Sequence, residues 1–246
     1  MSTAAAVPSQ QPPLSEVERL VDTFIAPSKT FTDLRRSSNW VVPFLLIALG
    51  IVALTFVAEK KLGFEKMVET QLAMQPKQAA RLDQLSPQAR AAQMETIVKF
   101  NKVFSYGSPV IVLVFLVIVA AVLLGTFNFG TGAELTFNQC IAVCMYASLT
   151  SVIKDVLGII ALLVGAGDNF TLQNPVASNL SGLIDPSSHF LYSAAMYADA
   201  FSIWTIALAG IGFSCLTRVK RGTCLAIVFG WWVLFILVMA GVAAAF

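Results

Sequence analysis

Charged side chains are scarce in this sequence. Of its 246 residues only 12% are Asp, Glu, Lys or Arg, against roughly a quarter in soluble domains. The formal net charge of +2 is too small for a protein that holds nucleic acid by phosphate attraction. Mean hydropathy is +0.77. The composition therefore excludes an ordinary soluble domain and a nucleic-acid partner, and it indicates a protein whose main solvent is the lipid bilayer.

Residue patterns that carry catalysis or metal binding are also missing. The one histidine, His189, has no second ligand at metal spacing, and the four cysteines form no CxxC pair. No phosphate loop (GxxxxGKS or GxxxxGKT), zinc-hydrolase (HExxH), nucleophile-elbow (GxSxG) or dinucleotide-binding (GxGxxG) pattern occurs. We therefore expect a non-enzymatic protein without a metal or a cofactor.

Long apolar runs dominate what is present. A helix needs about 20 apolar residues to cross the hydrocarbon core. Five predicted spans meet or approach that length, at about residues 40–58, 106–129, 137–164, 193–216 and 223–245. The runs are too long for barrel strands, and an open sheet cannot satisfy its backbone in lipid. We predict an all-α, polytopic transmembrane helix bundle with about five spans.

The sequence before the first span divides into two parts. Residues 1–13 are mainly Ala, Ser, Gln and Pro, and we predict that they are disordered. Residues 14–39 form a predicted amphipathic interfacial segment, because Ser15 and Glu18 fit a capping box and apolar residues follow at helical spacing. Two interpretations stay open: the helix lies in the lipid headgroup region, or it packs on loops of the protein itself.

Two polar segments separate the spans. In residues 59–105, the pairs Gln75-Pro76 and Ser86-Pro87 are typical of helix starts, so we predict an extramembrane helical cap. It contains two short helices and a third that runs from Pro87 toward the membrane. Residues 165–188 are rich in Gly, Asn and Ser and contain no Lys or Arg. This connector is predicted to be a loop outside the bilayer.

Two adjacent charges interrupt the third apolar run. An ionisable residue at membrane depth costs roughly 2.5 to 3.5 kcal/mol on insertion scales and usually has a partner. Lys154 and Asp155 point about 100° apart on a helix, so we expect Asp199 of the fourth span to pair with Lys154. Asp155 would then face water or a polar cavity. Three interpretations stay open: a structural bridge between helices, an ion or proton pathway, and a shallow or kinked third segment.

Small residues on the fourth span indicate a packing face. Gly210 and Ser214 are four residues apart, and Ala207 lies on the same side of the predicted helix. Such a spacing lets two membrane helices approach closely. We expect these three residues to contact a neighbouring helix.

Orientation follows from the cations nearest the span ends. Five spans place the termini on opposite sides, and the Lys and Arg counts of the two sides nearly balance. The closest cations are those before the first span and those of the turn that contains Arg218, Lys220 and Arg221. Under the positive-inside rule they favour a cytoplasmic N-terminus and a C-terminus on the opposite side of the membrane.

Three segments resemble the Yip domain family, polytopic proteins named for interaction with Ypt/Rab GTPases and found also in bacteria. They are APSKTFTDLRRSSNWVVPFLL (26–46), LTFNQCIAVCMYASL (135–149) and DAFSIWTIALAGIGFS (199–214). The resemblance covers most of residues 20–246. It implies five helices, a cytoplasmic N-terminus and, for a bacterial-type member, a place in the bacterial inner or plasma membrane. In eukaryotic members it implies a role in vesicle traffic. The acidic-Leu-Tyr-Gly-Pro segment of those members is missing here, which argues against a GTPase partner.

Two functional hypotheses follow. In the first, the protein is a non-catalytic scaffold or adaptor in membrane organisation or trafficking-like processes, and its partners are the lipid bilayer and other membrane proteins or copies of itself. In the second, it is a small transporter or an ion or proton pathway that uses Lys154, Asp155 and Asp199.

Overall fold

The fold is described by a computed structural model for residues 12–73, 75–165, 167, 170–185 and 187–245. Most of the segment predicted to be disordered, residues 1–11, lies outside the described residues. Those described form eleven α-helices and no β-strand: α1 (Glu16–Ile25), α2 (Pro27–Asp33), α3 (Val41–Lys61), α4 (Phe64–Ala73), α5 (Pro76–Asp83), α6 (Pro87–Thr131), α7 (Phe137–Ala147), α8 (Thr150–Leu163), α9 (His189–Tyr197), α10 (Ala200–Leu216) and α11 (Arg221–Ala245).

Length and hydropathy make four stretches candidates for membrane spans. They are α3, α6, the α7–α8 pair and α11, and the shorter apolar helix α10 packs between α7 and α11. The outward surfaces of these helices carry many exposed large apolar residues, as expected where lipid replaces water as the solvent. The prediction of an all-α, polytopic bundle is confirmed.

Helix α6 joins the predicted cap to the second predicted span. It runs for 45 residues, or about 67 Å at 1.5 Å per residue, about twice the thickness of a hydrocarbon core. Ser86 caps its start, since its hydroxyl accepts a hydrogen bond from the Ala89 amide at 3.4 Å. Gly132 ends it in the left-handed conformation, at φ 68°. The polar first half packs on α4 and α5, which are the two short helices predicted for the cap.

The third and fourth predicted spans are each interrupted. The third is divided into α7 and α8 at Ser148 and Leu149. The fourth does not begin at residue 193, because α9 ends at Tyr197 and a new helix starts at Ala200. The Asp199 side chain accepts hydrogen bonds from the amides of Phe201 and Ser202 in the first turn of α10 and so acts as its N-cap. The pattern of apolar residues continues across this break and therefore did not predict it.

The core forms around α7. Every residue from Cys140 to Ala147 is buried, because α7 is in contact with α1, α3, α6 and α10. Phe127 of α6 and Phe213 of α10 stack beside it with ring centroids 4.6 Å apart. Helix α7 therefore lies inside the bundle. Helix α8, which contains Lys154 and Asp155, follows directly after it in the chain.

The amphipathic segment packs on the protein with one face and exposes another. The predicted capping box of Ser15 and Glu18 is present, and Leu20 and Phe24 pack against the core. On the outer face Val17, Val21 and Ile25 are 69%, 50% and 73% exposed. Packing on the bundle is thus the observed state of α1, and its apolar outer stripe remains available for lipid or a protein partner.

Candidate functional site

The three polar candidates lie at one level near the middle of the bundle, where Lys154 and Asp199 come together and Asp155 points to a different helix. Asp155 of α8 lies against Gly50, which is nine residues from the start of the 21-residue helix α3. That distance is about 14 Å along the helix, close to half of a 30 Å hydrocarbon core. Lys154 and Asp199 lie at the same level, since Asp199 pairs with the residue before Asp155.

Lys154 and Asp199 form the predicted ion pair. The Lys154 Nζ lies 3.1 Å from Asp199 Oδ2, and their side chains are 17% and 3% exposed. Asp199 Oδ1 accepts hydrogen bonds from the backbone amides of Phe201 at 3.0 Å and Ser202 at 3.1 Å. The Ser178 hydroxyl donates to Asp199 Oδ2. The carboxylate thus has four donors and closes the first turn of α10, where the helix dipole also favours an anion.

The connector between α8 and α9 contributes to this site. Ala200 donates its amide to the carbonyl of Ser178 at 3.0 Å, and Asn179 forms an antiparallel bridge with Asp199. Pro175 packs so closely on Gly158 that a Cβ there would lie 2.7 Å from the proline Cβ. The connector is therefore not a free surface loop, and its place outside the bilayer stays a prediction. The connector reaches between the helices to the level of Lys154, which lies nine residues, or about 14 Å, before the end of α8.

Asp155 does not face water or a polar cavity as predicted. Its residue is 8% exposed, and within the described part of the chain its Oδ2 has no hydrogen-bond partner. That oxygen lies 2.9 Å from the position that a Cβ at Gly50 would occupy. The 100° turn between neighbouring residues directs Lys154 to α10 and Asp155 to α3, and the absence of a side chain at Gly50 makes room for the carboxylate.

Sequence reasoning missed the hydroxyl groups around this cluster. Thr150 precedes Lys154 by one turn of α8, and its hydroxyl hydrogen-bonds to the hydroxyl of Thr205 on α10. Ser151 precedes Asp155 by one turn, and its buried hydroxyl has no partner among the described residues. The spacing of four was a usable signal, because it places each hydroxyl on the same helix face as one of the two charges.

Two of the three predicted packing residues of α10, Gly210 and Ser214, contact α11. A Cβ at Gly210 would lie 2.6 Å from Leu225 Cδ2 and 3.0 Å from Leu225 Cα, so α11 approaches here. Ser214 Oγ accepts a hydrogen bond from Arg221 Nε at 3.4 Å. Ala207 is half-buried.

Gly212 makes a second close contact that the sequence analysis did not identify. A Cβ on it would lie 2.7 Å from Val143 Cγ1 and 2.9 Å from Phe31 Cδ1. Small residues on two faces of α10 therefore let α11 approach on one side and α2 and α7 on the other.

The cap contains a groove between α4, α5 and α6. Its volume is about 850 Å³, and its walls combine apolar side chains with several carboxylates and one guanidinium. The charged lining residues are Glu65, Glu69, Asp83, Arg90 and Glu95. Within the described residues no group of three or more His, Cys, Asp or Glu side chains is placed to hold a metal ion.

One comparison with known proteins gives a match. The model of the Yip1 domain family matches residues 21–242, which is nearly the whole chain and includes the three segments quoted above. No curated protein and no solved structure matches.

Proposed function

The chain belongs to the Yip1 domain family, and from this premise we propose that it is a non-catalytic membrane scaffold or adaptor. One observation carries the proposal: one set of polar groups in the middle of the bundle is satisfied within the protein. Lys154, the Ser178 hydroxyl and two amides of the first turn of α10 all bind Asp199. A network whose members are satisfied within the protein stabilises a unique packing, which suits a rigid support.

The N-terminal helices are held firmly on this support. Arg19 is buried and its Nε donates to Asp33 Oδ2 at 2.7 Å, which joins α1 to α2. The hydroxyl of Tyr146 donates to Glu16 Oε2 at 2.9 Å. Phe31 is fully buried beside Gly212. Because α1 is fixed by its inner face, its exposed apolar stripe (Val17, Val21 and Ile25) is presented in one orientation, which supports a role in docking a partner protein.

A photo-crosslinking residue at position 21 tests this role in native membranes. We expect a discrete protein adduct there, and a much weaker one from position 103, which is a similarly exposed valine on α6. Replacing Val17, Val21 and Ile25 together by serine should abolish recovery of the same adduct. Lipid adducts alone at position 21, or an equal protein adduct at position 103, would contradict the docking role.

The proposal places α1, α2 and the α10–α11 turn on the cytoplasmic side, and the cap on the other side. Introduced cysteines at Arg218 and Arg81, which are exposed at opposite ends of the bundle, test this arrangement in a chain whose native cysteines are replaced by alanine. An impermeant maleimide should label Arg81→Cys in intact cells and Arg218→Cys only after lysis. The reverse pattern would show the opposite orientation. Labelling of both cysteines in intact cells would contradict an odd number of spans between positions 81 and 218.

A proton pathway is a second candidate, and the unpartnered Oδ2 of Asp155 favours it. A carboxyl group at this depth is costly when charged and unpaired, so a proton on it is a chemically reasonable state. The broken helix α9–α10 beside it adds support, since transporters commonly place interrupted helices at their binding sites.

Reconstituted vesicles with an internal pH dye test this second candidate. An imposed proton gradient should collapse faster with the wild-type protein than in protein-free vesicles, and the excess rate should fall at least about tenfold in Asp155→Asn. Asp185→Asn makes the same chemical change at an exposed position of the connector and should keep the wild-type rate. A wild-type rate equal to that of protein-free vesicles would eliminate the candidate.

A further inference from the structure

Five exposed cations collect at the end of the bundle where α2 meets the α10–α11 turn. We name this set the basic patch: Lys29, Arg35, Arg218, Lys220 and Arg221. Two hydrogen bonds bring its parts together across the chain. Arg35 Nε donates to the carbonyl of Cys215 at 2.8 Å, and Arg221 Nη2 donates to Ser28 Oγ at 3.3 Å. These contacts join residues 180 and 193 positions apart, so the patch exists only in the folded protein.

The basic patch keeps most of its positive charge. The Glu18 carboxylate of α1 interacts electrostatically with Lys29, but the two form no ion pair. Asp33, the nearest acid in sequence, is already paired with Arg19 and Arg36. Over the part of the chain that the structure describes, no carboxylate lies within ion-pair distance of any patch residue. The two fixed arginines are held by neutral oxygen atoms and keep further N–H donors for a ligand.

The position of the patch suits a lipid phosphate group. It lies at the ends of apolar helices, and Trp40, a residue type that prefers the membrane interface, follows Arg35 by five positions. Val41 and Leu45 of the first turns of α3 are 47% and 58% exposed, which provides an apolar surface for acyl chains nearby in sequence. Guanidinium groups bind phosphate oxygens in a bidentate manner, and clusters of four to eight cations beside a span attract anionic lipids.

We propose that the basic patch binds the phosphate headgroup of an anionic membrane lipid. The proposal goes beyond the scaffold role and does not depend on it, because it concerns the end surface of the bundle rather than a protein partner. A free phosphate ion shares the headgroup chemistry but gains nothing from the apolar surface of α3. The lipid is therefore the expected ligand, and a phosphate ion is the alternative that the experiment must exclude.

The experiment measures energy transfer from the protein's tryptophans to a fluorescently labelled phosphatidylglycerol in phosphatidylcholine nanodiscs. Removing one cation near an anionic surface lowers the affinity about fivefold, so Arg35→Gln/Arg221→Gln should raise the apparent dissociation constant by about 25-fold. Arg35→Lys/Arg221→Lys keeps both charges but not the bidentate guanidinium geometry, so it should lose less affinity than the glutamine variant. Arg36→Gln is the matched control, because it removes a neighbouring cation that is already paired with Asp33; its effect should stay within about twofold.

Four results would overturn the proposal. Wild-type affinity in Arg35→Gln/Arg221→Gln would show that the patch is not the site. An equal loss in Arg36→Gln would show a general attraction to positive charge. Competition by inorganic phosphate or glycerol 3-phosphate at the concentration of the lipid would assign the patch to a soluble anion. If the glutamine variant fails to yield a monodisperse protein, Arg218→Gln/Lys220→Gln decides, because it removes two exposed patch cations and neither of the two hydrogen bonds that hold the patch together; wild-type affinity in it would contradict the proposal.

Discussion

Replacing Asp199 by asparagine is expected to destabilise the bundle more than replacing its partner Lys154 by methionine. The two changes break the same ion pair, which joins α8 to the start of α10. Asp199→Asn leaves the ammonium group of Lys154 without its partner, whereas Lys154→Met leaves the carboxylate of Asp199. The introduced asparagine would still cap α10, because asparagine is as good an N-cap as aspartate, so Asp199→Asn isolates the loss of the charge. Lys154→Met keeps a similar apolar stem and removes only the ammonium group.

The difference in free energy follows from the remaining partners. In Asp199→Asn the Lys154 ammonium is left in a site where the side chain is 17% exposed, and removing one partner of a buried pair costs about 3 to 5 kcal/mol. In Lys154→Met the carboxylate of Asp199 retains the amides of Phe201 and Ser202 and the hydroxyl of Ser178. It also retains the dipole of α10, which favours an anion by about 0.3 to 1 kcal/mol. We therefore expect a loss of about 3 kcal/mol for Asp199→Asn and about 1 kcal/mol for Lys154→Met.

Reversible unfolding by dodecyl sulfate in mixed micelles, followed by tryptophan fluorescence, measures both losses. The double variant carries no charge at either position, so its free energy of unfolding should lie close to that of Lys154→Met, with a coupling of about 1 to 3 kcal/mol typical of contacting residues. Asp185→Asn is the control for the same chemical change at an exposed position and should shift stability by no more than about 0.5 kcal/mol. A larger loss in Lys154→Met than in Asp199→Asn, or additive losses in the double variant, would refute the reasoning.

Three further predictions concern packing and the N-terminal helix. Gly210→Ala should cost about 1 to 3 kcal/mol in the same unfolding assay, because its Cβ would lie 3.0 Å from Leu225 Cα; Gly230→Ala, where a Cβ meets nothing within 4 Å, should be neutral or stabilising. Phe31→Ala should cost about 3 to 5 kcal/mol, since this side chain is fully buried, and a loss below about 1 kcal/mol would contradict the observed docking of α2. Hydrogen bonds from Ser15 hold the pKa of Glu18 below its usual value of 4.5, so the capping box stabilises α1 above that pH and loses its effect as the pH falls through the lowered pKa. Below the lowered pKa, the amide exchange rate in the first turn of α1 should therefore rise in the wild type relative to Glu18→Gln at the same pH. An unchanged ratio of these two exchange rates across this pH range would exclude the linkage.

The sequence by itself determined the features that depend on neighbours along the chain. Apolar runs near the length of a bilayer specify helices, because only helices satisfy the backbone of such runs in lipid. The capping box of Ser15 and Glu18 and the start of α6 at Pro87 follow from hydrogen bonds within four residues. The pairing of Lys154 with Asp199 was also accessible, since a charge at membrane depth needs a partner and few partners exist.

Only the tertiary structure decided which groups meet across long separations. Asp155 faces Gly50 instead of water, and the connector reaches Asp199 between the helices; neither follows from local pattern, because hydropathy does not report which face of a helix meets which neighbour. The basic patch joins residues near the start of the chain to the α10–α11 turn. Such contacts depend on how closely the backbones approach, and that approach is set by the packing of small and large side chains from several helices at once.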